Sequence, residues 1–429
     1  MIALTVLTWL VAYELAILRH HTAQGWLPFP VNAVNMSNNN AEQNWPIHIG
    51  NFSGPTTIFD NIPEREKQME TLQALISDIR RYIPPSEKFL PEFKNPCWYA
   101  DGNNTPTASA LNNTHLQCLP YAFLLGFPKS GSSKLYSLIE AHHEYAQPLG
   151  KEVSIAQFLR IKPPIQNTLS YLKHFEVATK QIAGNPRKAI TCDGTPTTAL
   201  VQPNGYWSDE APIDGMPMLL QELLPNAKYI VIMRNPLYAA RSAFYYTLGS
   251  YAKHKNCAHI TEQPATVLHE LVCAHIQAHQ QCVSHLEDEI KCLFHRYYTL
   301  WLKPGLCGHF LMEYSVYYFT LLLWLKHIPR ERFHFVYNDE MERDPLRVAK
   351  QVYEFLGMSP MNTRQWETLK STANTKVNTA SFLDKNETTN SSIPFMKQET
   401  VDLLRAFYQP FNAKLAALIG DNSVIREWD

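Results

Sequence analysis

Leu124-Leu125-Gly126-Phe127-Pro128-Lys129-Ser130-Gly131-Ser132-Ser133-Lys134-Leu135, within Tyr121–Tyr136, decides how the chain folds. An apolar run enters a Pro/Gly/Ser turn and leaves it as a helical pattern. Backbone N–H groups at such a helix start have no intrahelical acceptor, and with the helix dipole they form an anion site. Gly131 lets the backbone come close to a ligand. Ser132 and Ser133 add hydroxyl donors, and Lys129 adds a full charge. Gly126 and Gly131 have the spacing of the ATP-binding loop GxxxxGK[ST]. Ser132 stands where that loop has lysine, however, and the lysine lies inside the turn at 129. This weakens an ATPase or kinase reading.

Working outward, four apolar segments read as buried parallel strands: Tyr121–Phe127, Ala189–Asp193, Lys228–Met233 and Arg332–Tyr337. Helical patterns lie between them, at Lys134–His142, Leu237–Leu248 and Pro345–Leu356. Alternating strands and helices predict an α/β fold, a central parallel sheet flanked by helices. Pro63–Tyr82 reads as a further helix, residues 86–120 as loop, and residues about 250–309 as a Cys- and His-rich insertion. Tyr314–Trp324 reads as a core helix, being shorter than the ~18 apolar residues of a membrane span.

The chain has 429 residues and a formal net charge of -1, with 45% hydrophobic and 18% charged residues. A sizeable core is affordable, and no global basic field points to nucleic acid or to an anionic membrane surface. Any anion must be held by local cations. The apolar run Ile2–Leu18 spans ~25 Å against a bilayer core of ~30 Å, which fits a signal-anchor, a cleaved signal peptide or a buried helix. Six sequons, at Asn35, Asn51, Asn103, Asn112, Asn386 and Asn390, suit glycosylated surface in the secretory pathway. In an oxidising lumen some of the eight cysteines should pair, and Cys97 with Cys118 brackets an Asn/Thr-rich loop. Cys273, His275, His279, Cys282 and His285 look like zinc ligands, but their spacing matches no standard site, and no metal is expected there.

A second motif is Tyr229-Ile230-Val231-Ile232-Met233-Arg234-Asn235-Pro236-Leu237-Tyr238-Ala239-Ala240-Arg241-Ser242. A strand ends at Arg234, and Pro236 suits a helix start. Arg234 and Ser242 can clamp one phosphate from a strand end and the helix that follows it.

The two motifs together resemble the PAPS-dependent sulfotransferases, a P-loop-like fold. The resemblance implies that Lys129, Ser130, Gly131, Ser132, Ser133 and Lys134 hold the 5′-phosphosulfate of PAPS, and that Arg234 and Ser242 hold its 3′-phosphate. It extends from about Tyr121 to Gly420 and includes the turn Asp193-Gly194-Thr195-Pro196-Thr197-Thr198 and the ending Phe407-Tyr408-Gln409-Pro410-Phe411-Asn412-Ala413-Lys414-Leu415. Among Golgi glycosaminoglycan sulfotransferases it looks closest to the branch that 6-O-sulfates N-acetylgalactosamine 4-sulfate in chondroitin or dermatan. Heparan-type enzymes are the alternative. Glu152, in Gly150-Lys151-Glu152-Val153, matches that family's base, and an ordinary carboxylate is ionised in the lumen. A solvated surface Glu beside Lys151 is the bland alternative, and His142 and His143 are other candidates. The family's His and aromatic residues after this glutamate are here Val153-Ser154-Ile155-Ala156. Lys376 is a candidate for the C-terminal phosphate loop.

The implied organisation is a signal-anchor or signal peptide over 1–21, a stem and extension over 22–118, and a sulfotransferase domain over 119–425. The expected setting is the Golgi membrane, single-pass type II with a lumenal catalytic domain, or secretion. The acceptor would be a glycosaminoglycan, the membrane would be touched only through the N-terminal segment, and transfer from PAPS needs no metal. A divergent P-loop kinase and a silent glycan-binding protein are the rival classes.

Overall fold

The computed structural model describes residues 62–100, 115–155, 164–200, 214–251, 263–286, 289–294, 312–374, 393, 395–421 and 428. The sequons, the apolar run at 2–18, Cys257, Cys307 and Lys376 lie outside them.

The central sheet has four parallel strands in the order β4-β3-β5-β6: β3 is Ala122–Gly126, β4 Cys192–Asp193, β5 Lys228–Met233 and β6 Phe333–Tyr337. Side chains alternate across a strand, so each apolar run serves two faces. Phe123, Leu125, Tyr229, Val231 and Met233 enter one core with Trp98, Leu219, Tyr317 and Trp324. Ala122, Leu124, Ile230 and Ile232 enter the opposite core with Leu135, Ile139, Val352 and Leu356. Burial on both faces is why these strands read as unbroken apolar runs.

The helices Ser132–Glu140, Pro236–Tyr251 and Pro345–Leu356 follow β3, β5 and β6. The last begins with Pro345 behind Asp344, whose carboxylate accepts from the Arg347 N–H at 3.0 Å, and ends at Gly357 with φ 63°. That is a capped start and a left-handed stop.

The structure corrects several expectations. Only Cys192–Asp193 of the stretch Ala189–Asp193 is strand, with Ile190 bridged to Tyr145 instead. Residues 86–120 are not all loop: β1, Cys97–Ala100, pairs antiparallel with β2, His115–Cys118. A disulfide joins Cys97 to Cys118 at the open end of that hairpin, where the chain enters and leaves it, as the flanking cysteines suggested. The Cys/His-rich stretch is described at 263–286 and 289–294. Its helix Pro264–Leu286 buries Val267, Leu268, Leu271 and Val272 against Phe319, Leu404 and Tyr408. Cys282 is bonded to Cys292, so its sulfur is not open to a metal. Among the described residues no group of three or more His, Cys, Asp or Glu could hold a metal ion. Nor is any helix among them long and apolar enough to cross a membrane; Tyr317–His327 is a buried core helix.

The core also does not break near residue 118. The helix Ile62–Ile79 places Leu72 and Ile79 in the core that holds Phe123. Arg65 makes two hydrogen bonds to Asp214, 2.6 and 2.9 Å, across 149 residues of chain. His327 Nε2 lies 2.7 Å from the same fully buried carboxylate. Burial alone pushes Asp214 up, and the hydrogen bonds from His327 and Arg65 outweigh it and hold the group well below the usual carboxylate range.

Candidate functional site

Four chain segments meet at the carboxyl edge of the parallel sheet, where α/β folds place their ligands. β3 runs into the loop Phe127–Gly131, β4 into the turn Gly194–Thr198, β5 into Arg234, and β6 into Asn338.

The loop is held from below. The Phe127 N–H donates to Ile232 O at 2.7 Å, and the Ala199 N–H donates to Leu125 O at 2.7 Å. Gly131 has φ 95°, and a Cβ there would lie 2.4 Å from Asn338 Nδ2 and 2.9 Å from Met341 Cε. Conformation and space both require glycine at the helix start. Gly126 is similarly closed in, with a Cβ position 2.7 Å from Pro196 O.

Ser130 has a different task from the one expected of it. Its side chain is fully buried, its hydroxyl lies 3.4 Å from Tyr317 Oη, and its N–H donates to Phe127 O. Tyr317 Oη in turn donates to the Arg234 carbonyl at 2.9 Å. One buried tyrosine thus ties the phosphate loop to the end of β5. Ser130 braces the loop and has little left to offer a ligand.

The groups that do face outward are cationic. Lys129 sits 3.8 Å from the centroid of the exposed Tyr246 ring. Burial, then the nearby Arg234 and Lys151 charges, push its amine down to about 8. Arg234 has its Nε buried without a hydrogen-bond partner, and its nearest carboxylate, Glu342, is 3.9 Å away. A buried guanidinium donor with no acceptor is costly unless an anion supplies one. Arg234 and Arg241 both lie against the Tyr238 ring, at 5.7 and 5.3 Å. Ser242 is partly exposed on the helix that follows Arg234. Lys134, in the first turn of the loop helix, is also partly exposed, where a cation opposes the helix dipole.

Glu152 is joined to this group through its neighbour. Lys151 Nζ donates to Ser133 Oγ at 3.1 Å and to Glu152 Oε1 at 3.0 Å. The carboxylate is therefore one ammonium away from the phosphate loop, while its side chain stays 54% exposed. The turn Asp193–Thr198 holds this segment. Asp193 accepts from Thr195 N at 3.0 Å and Thr195 Oγ1 at 2.6 Å, and from Tyr171 Oη at 3.0 Å and Ile155 N at 3.3 Å. Thr195 Oγ1 also accepts from the Ser154 N–H at 2.8 Å. Burial raises the Asp193 carboxyl, and those hydrogen bonds oppose the rise. Lys151 and Asp193 stand in stretches that the resemblance already covers, Gly150–Val153 and Asp193–Thr198, but nothing in those stretches gives either a role, and Tyr317 reads only as part of a core helix.

His142 is committed elsewhere. Its Nδ1 accepts from the Glu144 N–H at 3.1 Å and its Nε2 lies 3.0 Å from Ser359 O. Burial lowers its pKa, and the ring serves as a neutral brace. His143 stacks on it at 4.5 Å.

A family model described as the sulfotransferase domain matches residues 119–407. Carbohydrate sulfotransferase 15 of Mus musculus is 25% identical over 446 residues, covering 88% of this chain and 73% of the mouse protein. Carbohydrate sulfotransferase 15 of Homo sapiens is 25% identical over 407 residues, covering 78% and 65%. Among solved structures, a sulfotransferase from Alicyclobacillus acidocaldarius is 20% identical with a TM-score of 0.42, covering 72% of this chain and 99% of that one.

Proposed function

The chain belongs to the sulfotransferase family, and on that premise we propose that it transfers sulfonate from PAPS to a glycosaminoglycan hydroxyl, the 6-O of N-acetylgalactosamine 4-sulfate in chondroitin or dermatan. PAPS supplies a sulfonate already activated on a phosphate leaving group. The chain's own residues supply the rest. Lys129, Gly131, Ser132 and Ser133 line the loop toward a 5′-phosphosulfate, with Lys134 beside them. Arg234, whose Nε lacks a protein acceptor, and Ser242 serve a second phosphate. The observation that carries the reading is the chain Ser133–Lys151–Glu152, which sets a carboxylate beside an anion loop.

Glu152 takes the acceptor's proton as the acceptor oxygen bonds to sulfur. Lys129 neutralises the charge left on the phosphate oxygen as the bond from sulfur to that oxygen breaks. Proton, electron pair and leaving group are thereby accounted for. Positioning and preorganised charge of this kind supply most of the rate in such transfers.

A carbohydrate acceptor is supported by the two relatives named carbohydrate sulfotransferase 15. A lumenal Golgi setting is supported by the sequons and by the disulfides Cys97–Cys118 and Cys282–Cys292. Anchorage through residues 1–21, with a stem leading to the catalytic domain, completes the proposal; secretion is its alternative.

Chondroitin, dermatan and heparan acceptors incubated with labelled PAPS, followed by disaccharide analysis, test this directly. Label should appear on galactosamine 4-sulfate at O6. Label on glucosamine units would move the protein to the heparan type. No label on any glycan, with PAPS still bound, would sink the acceptor assignment.

A further inference from the structure

We infer that Lys151 is a further cationic ligand of the donor, placed on the transferring sulfonate rather than on either phosphate of the nucleotide. The inference rests on the donor site proposed above and goes beyond it to assign a residue.

Two contacts of one ammonium carry it. At one side Lys151 Nζ bonds Ser133 Oγ, in the first turn of the helix whose N–H groups make the anion site. At the other it bonds Glu152, the carboxylate that receives the acceptor's proton. In an in-line transfer the sulfonate lies between the leaving phosphate and the attacking hydroxyl. A group that touches the phosphate loop and the base at once spans that interval.

The side chain is positioned, not free to wander. The Gly194 N–H donates to the Lys151 carbonyl at 2.9 Å. A Cβ at Gly194 would lie 2.9 Å from Lys151 Cγ and 2.5 Å from the Tyr136 ring. The lysine stem thus runs past a glycine that leaves it room, with the ammonium 6.0 Å from the Tyr136 ring centroid. An ordinary exposed Lys–Glu pair contributes little and needs no such slot. Lys151 also acts on Lys129, whose proton affinity its charge lowers alongside Arg234. Three cations gathered at one loop repel one another unless polyanion sits between them.

The test compares PAPS with PAP, which lacks the sulfonate, by titration calorimetry on the wild-type chain and on Lys151→Met. Loss of one charged hydrogen-bond donor should weaken PAPS about tenfold or more while PAP binding stays within about twofold. Turnover with a chondroitin acceptor should fall ~100-fold, as on removal of one transition-state donor. Lys151→Gln keeps a hydrogen-bonding end toward Ser133 and Glu152 but removes the charge. It should show the same selective loss, and it is the variant to read if Lys151→Met does not fold. Equal weakening of PAPS and PAP, or none, overturns the assignment. A wild-type chain that binds PAPS yet sulfates no glycan would sink the acceptor reading and leave this binding comparison in force.

Discussion

The two halves of the proposed site are built in opposite ways. On the donor side Ser130 is fully buried, Gly131 is pressed against Asn338 and Met341, and Tyr317 bridges Ser130 to the Arg234 carbonyl. On the acceptor side Glu152 is half in solvent, and its segment is fastened by its backbone, through the bonds from Ser154 and Ile155 to Thr195 and Asp193. The first half is a rigid cradle on the sheet edge. The second is a strap whose main chain is fixed and whose Val153 and Ile155 are buried in the core, while the Glu152 side chain stays open. Such a division lets one nucleotide donor be held unchanged while side chains facing the acceptor vary.

The sharpest way to break this comparison is to remove the one chemical group on each side. Glu152→Gln should cost ~10²–10⁴ in turnover with PAP binding retained, as expected for a general base. Lys129→Ala should cost ~10²–10³ and weaken the nucleotide as well. Full activity in either variant, read by the labelled-sulfonate assay, would refute that residue's role.

Next comes the strap. Asp193→Asn leaves buried donors from Thr195, Tyr171 and Ile155 with a poorer acceptor. It should lower stability by about 2–4 kcal/mol and turnover about tenfold through a displaced Glu152. Thermal melting and the ratio of kcat to PAP affinity separate the two effects. A variant that loses stability but keeps kcat would show that the strap does not set the base.

The smallest effect is a pH limb. In the proposed transfer Lys129 must be charged to neutralise the leaving oxygen, and burial with Arg234 and Lys151 nearby brings its amine down to about 8. The charged form prevails below that value and is lost above it. The kcat/KM for PAPS, which reports the free enzyme, should therefore fall as pH rises through about 8. A flat profile to pH about 10 would indicate a lysine at its ordinary value.

Much of this was legible in the chain. Lys228–Met233 and Pro345–Leu356 have the bounds read from sequence, because a strand buried on both faces and a helix begun by Asp-Pro and ended by glycine are local signals. The strand expected at 189–193 is shortened to Cys192–Asp193 because Ile190 bridges to Tyr145 rather than to a sheet neighbour. The hairpin Cys97–Cys118 was missed because its strands alternate weakly and its stability comes from pairing and a disulfide. Ser130 looked like a ligand donor because a loop serine gives no hint of which way its hydroxyl turns.

By itself, then, the sequence determined the parallel sheet, the loop at Tyr121–Tyr136, the Arg234 strand end and the class of ligand, since each rests on contiguous residues and on backbone periodicity. Tertiary structure alone decided that the helix Ile62–Ile79 joins the core through Arg65 and Asp214, that Tyr317 couples the two phosphate motifs, and that Lys151 links Ser133 to Glu152. The physical reason is common to all three. A buried carboxylate or hydroxyl chooses partners that satisfy its hydrogen bonds in space, and those partners carry no mark of it in their own stretch of chain.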